Sequence, residues 1–238
     1  MIYGEILAGG SGTRMGNTDI PKQFLNLGDK PIIIHTIEQF LINLKISKII
    51  VCCPKEWISY ANDLLERYKI TDDRIVIVAG GSTRNETIMN GCKYIKENYG
   101  INDNDIIVTH DAVRPFVNQR IIDDNIKYAK KYGAVDTAIS ATDTIINSKD
   151  GKFIENIPVR KEYFQGQTPQ SFNLKKLMKL YDSLTDDEKD VLTDACKIFT
   201  TKKEKVFIVQ GEVYNIKITT MPDLKTADAI VRGDNIKC

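Results

Sequence analysis

The chain has 238 residues, 42% apolar and 27% charged, with 33 Lys and Arg against 32 Asp and Glu for a net charge of +1. This composition excludes a disordered or low-complexity chain, and so even a charge balance gives no overall attraction to nucleic acid or to an anionic membrane. Folding at this length buries roughly 70–75% of the unfolded surface, enough core to need no disulfide or metal staple.

A short β-branched run followed by a longer helical pattern recurs along the chain. Residues 2–8 read as a first strand, broken by Gly9 and Gly10. Pro31 opens a helix with proline in its first turn, where the missing N–H costs nothing. KIIVCC (48–53) is a second strand, and Pro54 starts a helix running to about Tyr68. RIVIVA (74–79) is a third strand, closed by Gly80 and Gly81, with a helix from about Arg84 to Asn98. DIIVTH (105–110) is the fourth, Asn118 to Tyr132 is helical, and AVDTAISA (134–141) is the fifth. This succession predicts an α/β fold, Rossmann-like, with a mostly parallel sheet and helices on both faces.

The pattern then breaks. Residues 142–165 place an S-K-D-G turn between DTIIN and KFIENI, which predicts a protruding β-hairpin arm turning at Asp150-Gly151. A hairpin alone is marginal, so the arm is expected to pack on another subunit or fold back on the sheet. Gln165 to Gln170 reads as a polar turn, and helices follow near 173–183 and 186–198. KVFIVQ and YNIKITT are the last strands, and a final helix begins at about Pro222. The whole reads as one domain over residues 1–238, with the arm inserted at about 142–165.

The start, MIYGEILAGG, has neither the basic region nor the apolar stretch of a signal peptide. No window approaches the roughly 18 apolar residues of a membrane span. Cys52, Cys53, Cys92, Cys196 and Cys238 contain no C-x-x-C, and His35 and His110 are the only histidines, a poor supply for zinc. The expectation is a reduced cytoplasmic protein with no membrane or nucleic-acid partner.

In an open parallel sheet, ligands bind beyond the C-terminal strand ends. Three unusual segments sit there. Leu7-Ala8-Gly9-Gly10-Ser11-Gly12-Thr13-Arg14 offers backbone N–H groups to anionic oxygens, and Arg14 and Lys22 add positive charge. It lacks the Lys-Ser or Lys-Thr of a P-loop and the third glycine of a dinucleotide fingerprint. Gly80-Gly81-Ser82-Thr83-Arg84-Asn85-Glu86-Thr87 could read a base edge, or could be a strand–helix turn capped by Thr83 or Asn85. Asp111, at the fourth strand's end, is suited either to a magnesium ion carrying phosphates or to pairing with Arg114. His110 reads as a buried, hydrogen-bonded residue. Lys217 points into a cleft or protects an edge strand.

Taken in order, Leu7-Ala8-Gly9-Gly10-x-Gly12-x-Arg14-Met15, Pro21-Lys22-Gln23, Gly80-Gly81-x-x-Arg84, His110 to Pro115, Thr168-Pro169-Gln170 and Asn215-Ile216-Lys217 resemble a cytidylyltransferase family. That family includes the enzymes that act on 2-C-methyl-D-erythritol 4-phosphate and on ribitol 5-phosphate, and the resemblance spans residues 2 to about 230. Leu7 to Gly10, Val113, Gly166 to Phe172 and Leu192 to Lys197 resemble the ribitol 5-phosphate members, which serve teichoic acid synthesis. The methylerythritol phosphate activity of isoprenoid synthesis is the alternative. A nucleotide-sugar glycosyltransferase is disfavoured, because Asp103-Asn104-Asp105 precedes the fourth strand rather than following it.

The resemblance implies CTP and a polyol phosphate as substrates, with Mg2+ or another divalent cation near Asp111. It implies that Arg14, Lys22, Lys217 and Arg160 are catalytic. Leu7, Ala8, Gly9, Gly10, Gly81, Ser82, Thr83, Arg84, Asn85, Glu86, Thr87 and Ala112 would bind CTP. Arg160, Thr144, Thr168, Lys217 and Arg114 would bind the polyol phosphate, with Arg160 and Thr144 reaching the neighbouring subunit's site. A homodimer through the arm follows, and a reductase of the same pathway is a possible partner.

Overall fold

The computed structural model describes residues 1–10 and 20–233. Its main sheet has seven strands in the order β5-β4-β1-β6-β8-β7-β9. These are β1 (Ile2–Leu7), β4 (Lys48–Cys53), β5 (Ile75–Ala79), β6 (Ile106–Asp111), β7 (Ala134–Ser140), β8 (Phe164–Asn173) and β9 (Phe207–Gln210). Every pairing is parallel except the two made by β8, which runs antiparallel between β6 and β7. A two-stranded ribbon, β2 (Asn26–Leu27) with β3 (Lys30–Pro31), stands apart.

Strand alternation divides the core into two layers. Ile6, Ile49, Val51 and Val108 face α1 (Ile32–Ile42), α2 (Ile58–Arg67) and α4 (Gln119–Tyr132). Tyr3, Ile50, Cys52 and Ile107 face α3 (Arg84–Tyr99), α5 (Leu174–Asp182) and α7 (Cys196–Thr201). The adjacent Cys52 and Cys53 thus belong to opposite layers, and the four described cysteines are unpaired and buried. A short α6 (Asp186–Asp190) lies between α5 and α7, and α8 (Met221–Arg232) covers a third cluster of Leu27, Ile32, Val113 and Ile218.

Three segments differ from the sequence expectation. Gln165 to Gln170 is not a turn but the body of β8, which bonds to strands on both sides and so can carry polar residues through the sheet. YNIKITT forms no strand: it is an extended segment pinned by Ile218 N–H to the Val113 carbonyl (2.9 Å) and by the buried Asn215 side chain to the Thr168 carbonyl (2.9 Å). The arm turns where expected, with Gly151 at φ 70° and the Asp150 carboxylate accepting from the N–H groups of Lys152 and Phe153. Its flanks make only the isolated bridge Asn147–Asn156, however, and DTIIN and KFIENI are not strands. Among the described residues nothing covers Ile146, Phe153, Ile154, Ile157 and Val159, all more than half exposed, and a ladder without a packed face has little to hold it.

Glu5, inside β1, has no exposed surface. It accepts a hydrogen bond from the Cys52 thiol (3.3 Å), and burial pushes its carboxyl well above the usual range, favouring the neutral form. Gly91 of α3 lies against it: a Cβ there would come within 2.0 Å of Glu5 Oε1. Gly91→Ala would ordinarily gain about 1 kcal/mol of helix propensity. Here it is expected to destabilise by about 1–3 kcal/mol through overpacking, and Glu5→Ala in the same chain should recover most of that loss in urea denaturation. Equal losses in the single and double variants would rule out the contact as the cause.

Candidate functional site

The C-terminal ends of β1, β5 and β6 converge on a cleft of about 630 Å³. Among the described residues its wall includes the first glycine loop, Leu7 to Gly10, and the second, Gly81 to Arg84 with Thr87. Lys22, Asp111 and Lys217 complete its polar lining along with Gln23 and Glu56. The sequence expectation that three strand-end segments meet at one edge therefore holds.

Each loop is shaped by local chemistry. The Gln23 amide, 1% exposed, donates to the Ala8 carbonyl at 2.6 Å, fixing the first loop against the Pro21-Lys22-Gln23 turn. Thr83 caps α3 in a capping box with Glu86, whose carboxylate accepts from the N–H groups of Ser82 (2.9 Å) and Thr83 (3.3 Å). The backbone folds so tightly there that a Cβ on Gly81 would lie 2.4 Å from the Glu86 Cβ. Thr87 accepts from the Gly81 N–H at 3.0 Å and donates to the Thr83 carbonyl at 2.8 Å. The loop is thus a capped strand–helix turn that also forms part of the cleft wall.

Asp111 is the electrostatic centre. Lys217 Nζ lies 2.9 Å from its Oδ2, Arg84 Nε 3.3 Å from Oδ1 and Arg114 Nε 3.5 Å from Oδ2. Burial alone would raise this carboxyl, but Arg84, Lys217 and Arg114 outweigh it and hold the group far below the usual aspartate range. Three cations against one carboxylate leave surplus positive charge in this cluster, and Lys22 lies in the same cleft wall. Such a surface is complementary to a polyanion.

Behind the cluster, His110 is fully buried, and its pKa falls to about 4, chiefly through desolvation. Neutral at physiological pH, it donates from Nε2 to the Arg114 carbonyl (3.0 Å) and accepts at Nδ1 from Thr168 Oγ1 (2.9 Å). Thr168 also accepts from the Asp111 N–H at 3.1 Å, and Arg114 Nη1 donates to the Asn215 carbonyl at 2.7 Å. These bonds tie β6, β8 and the segment bearing Lys217 into one frame. His110 is thus a structural residue, as its sequence context indicates.

Several expected residues lie elsewhere. Arg14 falls outside the described residues. Asn85, Glu86 and Ala112 do not line the cleft: Asn85 and Ala112 are buried, and Glu86 serves the cap. Thr144 and Arg160 are exposed on the arm, where Arg160 Nη1 donates to the Thr142 carbonyl at 2.7 Å, and neither reaches this cleft within its own chain. Ile20, Pro54, Glu56 and Trp57 line the cleft without having been singled out as site residues by sequence, and Val113, noted there only for the resemblance, joins them. Trp57 stacks on Phe24 at 5.3 Å and meets Tyr60 edge-on at 5.5 Å. The chain's one tryptophan, just after the second strand's Pro54, was the available signal.

The residues do not fit a resident metal. Among those described, no three His, Cys, Asp or Glu side chains form a metal-binding group, and both Asp111 oxygens already face cations. No helix among the described residues is long and apolar enough to cross a membrane.

Comparison with known proteins agrees with this geometry. The sequence matches the family described as IspD, 2-C-methyl-D-erythritol 4-phosphate cytidylyltransferase, over residues 3–233. The solved 4-diphosphocytidyl-2C-methyl-D-erythritol synthase of Anaerococcus prevotii is 29% identical at a TM-score of 0.79, covering 97% of this chain and 96% of that one. The 2-C-methyl-D-erythritol 4-phosphate cytidylyltransferase of Francisella tularensis is 28% identical at 0.78, covering 95% and 98%. That of Thermus thermophilus, 21% identical at 0.73 and covering 98% and 100%, shares the fold.

Asp111→Asn keeps a hydrogen-bond acceptor but leaves three cations without their counter-charge. It is expected to cost about 3 kcal/mol of unfolding free energy, partly regained on adding pyrophosphate. The stabilisation by Asp111 is in place above the ordinary aspartate value of 3.8 and is withdrawn as pH falls below it, so the difference between variant and wild type should shrink in strong acid. A variant as stable as wild type at pH 7 would remove Asp111 from this central role.

Proposed function

Given that the chain belongs to the 2-C-methyl-D-erythritol 4-phosphate cytidylyltransferase (IspD) family and is a cytidylyltransferase, we propose that it joins CTP to a small polyol phosphate, releasing pyrophosphate. The observation that carries this reading is the Asp111 cluster, with its surplus of cations at the floor of a glycine-walled cleft. A phosphate monoester, with a second pKa near 6, is largely dianionic at pH 7 and needs no general base. The neutral, buried His110 agrees with that. The acceptor's phosphate oxygen attacks the α-phosphorus of CTP, the bond to the β-phosphate oxygen breaks, and pyrophosphate leaves. Holding two anions in line and offsetting their charge is the main requirement.

In this scheme Lys22 and Arg14 offset charge on the α-phosphate, and Lys217 lies beside the reacting groups. The loops at Leu7 to Gly10 and Gly81 to Thr87 hold the nucleotide, reading cytosine through backbone groups and its N4 amine. A divalent cation would come with the nucleotide and offset phosphate charge, since both Asp111 oxygens already face Arg84, Arg114 and Lys217. Arg114 and Lys217 serve the acceptor's phosphate, and Thr168, whose hydroxyl hydrogen goes to His110, holds Asp111 in place beside them. Arg160 and Thr144 serve it from the second copy of a homodimer, whose contact would cover the exposed apolar residues of the arm.

For the acceptor, the family and the similar structures support 2-C-methyl-D-erythritol 4-phosphate, and so a place in isoprenoid synthesis. Ribitol 5-phosphate, and so teichoic acid synthesis, is the second reading. It is favoured by Leu7-Ala8-Gly9-Gly10, Val113, Gly166 to Phe172 and Leu192 to Lys197. Pyrophosphate release with each acceptor in parallel decides between them: a hundredfold preference in kcat/KM assigns the acceptor, and no release with either removes the polyol phosphate reading.

Lys22→Ala is expected to lower kcat far more than it raises the KM for CTP, and wild-type turnover would remove it from catalysis. Mixed dimers of Arg160→Ala and Lys22→Ala subunits should regain activity, because one of their two composite sites is intact. No recovery under subunit exchange would argue against a shared site.

A further inference from the structure

One transverse row of the sheet carries polar side chains where apolar ones are expected. The strand register aligns Glu5 of β1, Thr109 of β6, Gln170 of β8 and Asp136 of β7 on the face that also bears Asp111 and Thr168. Gln170 follows Thr168 by two residues, about 7 Å along the strand. The row therefore lies one step from the cationic cluster.

Gln170 is 2% exposed, and its Nε2 donates to two carboxylates from separate parts of the chain: Asp136 Oδ1 at 3.0 Å and Asp194 Oδ2 at 3.3 Å. Its Oε1 is buried and has no hydrogen-bond partner. Asp136 is half-buried, and its Oδ2 faces Gly166, where even a Cβ would lie 3.7 Å away. Burial, and then the charge of Asp194, push the Asp136 carboxyl up to about 6. Asp194 Oδ1 also accepts from the Lys197 N–H at 3.0 Å and the Cys196 thiol hydrogen-bonds Asp136, so Gln170 Oε1 is the acceptor of this group that has no donor. Unsatisfied buried acceptors are costly in a folded protein, so a group of this kind calls for a ligand rich in O–H donors.

We propose that Asp136, Gln170 and Asp194 bind the hydroxyl groups of the acceptor polyol, while Arg114 and Lys217 take its phosphate. This rests on the polyol phosphate reading above and deepens it. The step of about 7 Å between Thr168 and Gln170 is within reach of a carbon chain attached to a phosphate at the cluster. Each O–H donates to a carboxylate oxygen or to Gln170 Oε1. A bound cation is a poorer match: the Gln170 amide directs its N–H groups at the carboxylates, and Arg84 lies within electrostatic range of Asp136. A site that hydrogen-bonds hydroxyls rejects analogues lacking them, because its own groups are then left unpaired.

The test is pyrophosphate release by wild type, Asp136→Ala and Asp194→Ala with CTP and ribitol 5-phosphate, 2-C-methyl-D-erythritol 4-phosphate or glycerol 3-phosphate. Calorimetric binding of each acceptor in the presence of CTP accompanies it. The variants are expected to raise the KM for the preferred longer acceptor about tenfold or more, the cost of losing a hydrogen bond to a charged group. Preference over glycerol 3-phosphate should collapse, while the KM for CTP stays within about twofold, a split that general loosening of the fold would not give. Asp136→Asn, which keeps an oxygen for Gln170, supplies the same comparison if the alanine variant does not fold. Equal losses with all acceptors, a matching rise in the KM for CTP, or no change would overturn the inference while leaving the enzyme's function standing. Neither turnover nor binding of any polyol phosphate by wild type would overturn both.

Discussion

The arrangement turns on a single carboxylate. Asp111 sits at the end of the buried strand β6 and faces Arg84 from α3, Arg114 from the loop after β6 and Lys217 from the extended segment before α8. Three elements far apart in sequence meet at one charge. Taking ions out of water costs several kcal/mol each, so such a cluster persists only with geometry that satisfies it. The frame of Thr168, His110 and Asn215 supplies that geometry.

The antiparallel β8 makes the frame possible. Inserted between β6 and β7, it brings Thr168 beside Asp111 and Gln170 beside Asp136. A parallel crossover between β6 and β7 would have put apolar residues there, as parallel strands buried on both faces demand. Polar side chains enter this sheet interior because each finds partners in the adjacent strands. The exceptions, Glu5 Oε2 and Gln170 Oε1, are the atoms whose burial still needs an explanation. For Glu5, burial raises the carboxyl and favours the neutral form, which lowers the cost of burying it, and for Gln170 the proposed ligand supplies the missing donor.

Function follows from charge and access more than from reactive side chains. The described cysteines are buried, and His110 is held neutral. What the cleft offers is positive charge and close-approaching backbone, the means by which a phosphoryl-group reaction between two anions is assisted. The arm stands away from this cleft among the described residues, and its isoleucines and Phe153 are exposed.

Strand–helix alternation, the glycine loops and the strand-end segments were legible in the sequence, because burial on two faces and the need for φ freedom or close approach act locally. So was the family, through residues spread over nearly the whole chain, although motif details pointed to a ribitol 5-phosphate enzyme where the family and the similar structures are named for methylerythritol phosphate. Gln165 to Gln170 read as a turn because its polar residues gain partners only from β6 and β7, and YNIKITT read as a strand because its alternation is real although no strand pairs with it. Trp57 in the cleft wall, the burial of Glu5 against Gly91, and the sharing of Gln170 between Asp136 and Asp194 join residues distant along the chain. Sequence alone determined which residues could bear charge, turn or pack. Only the tertiary structure decided which of them meet, because the energy of a buried charge or hydrogen bond is set by the neighbours that long-range folding brings to it.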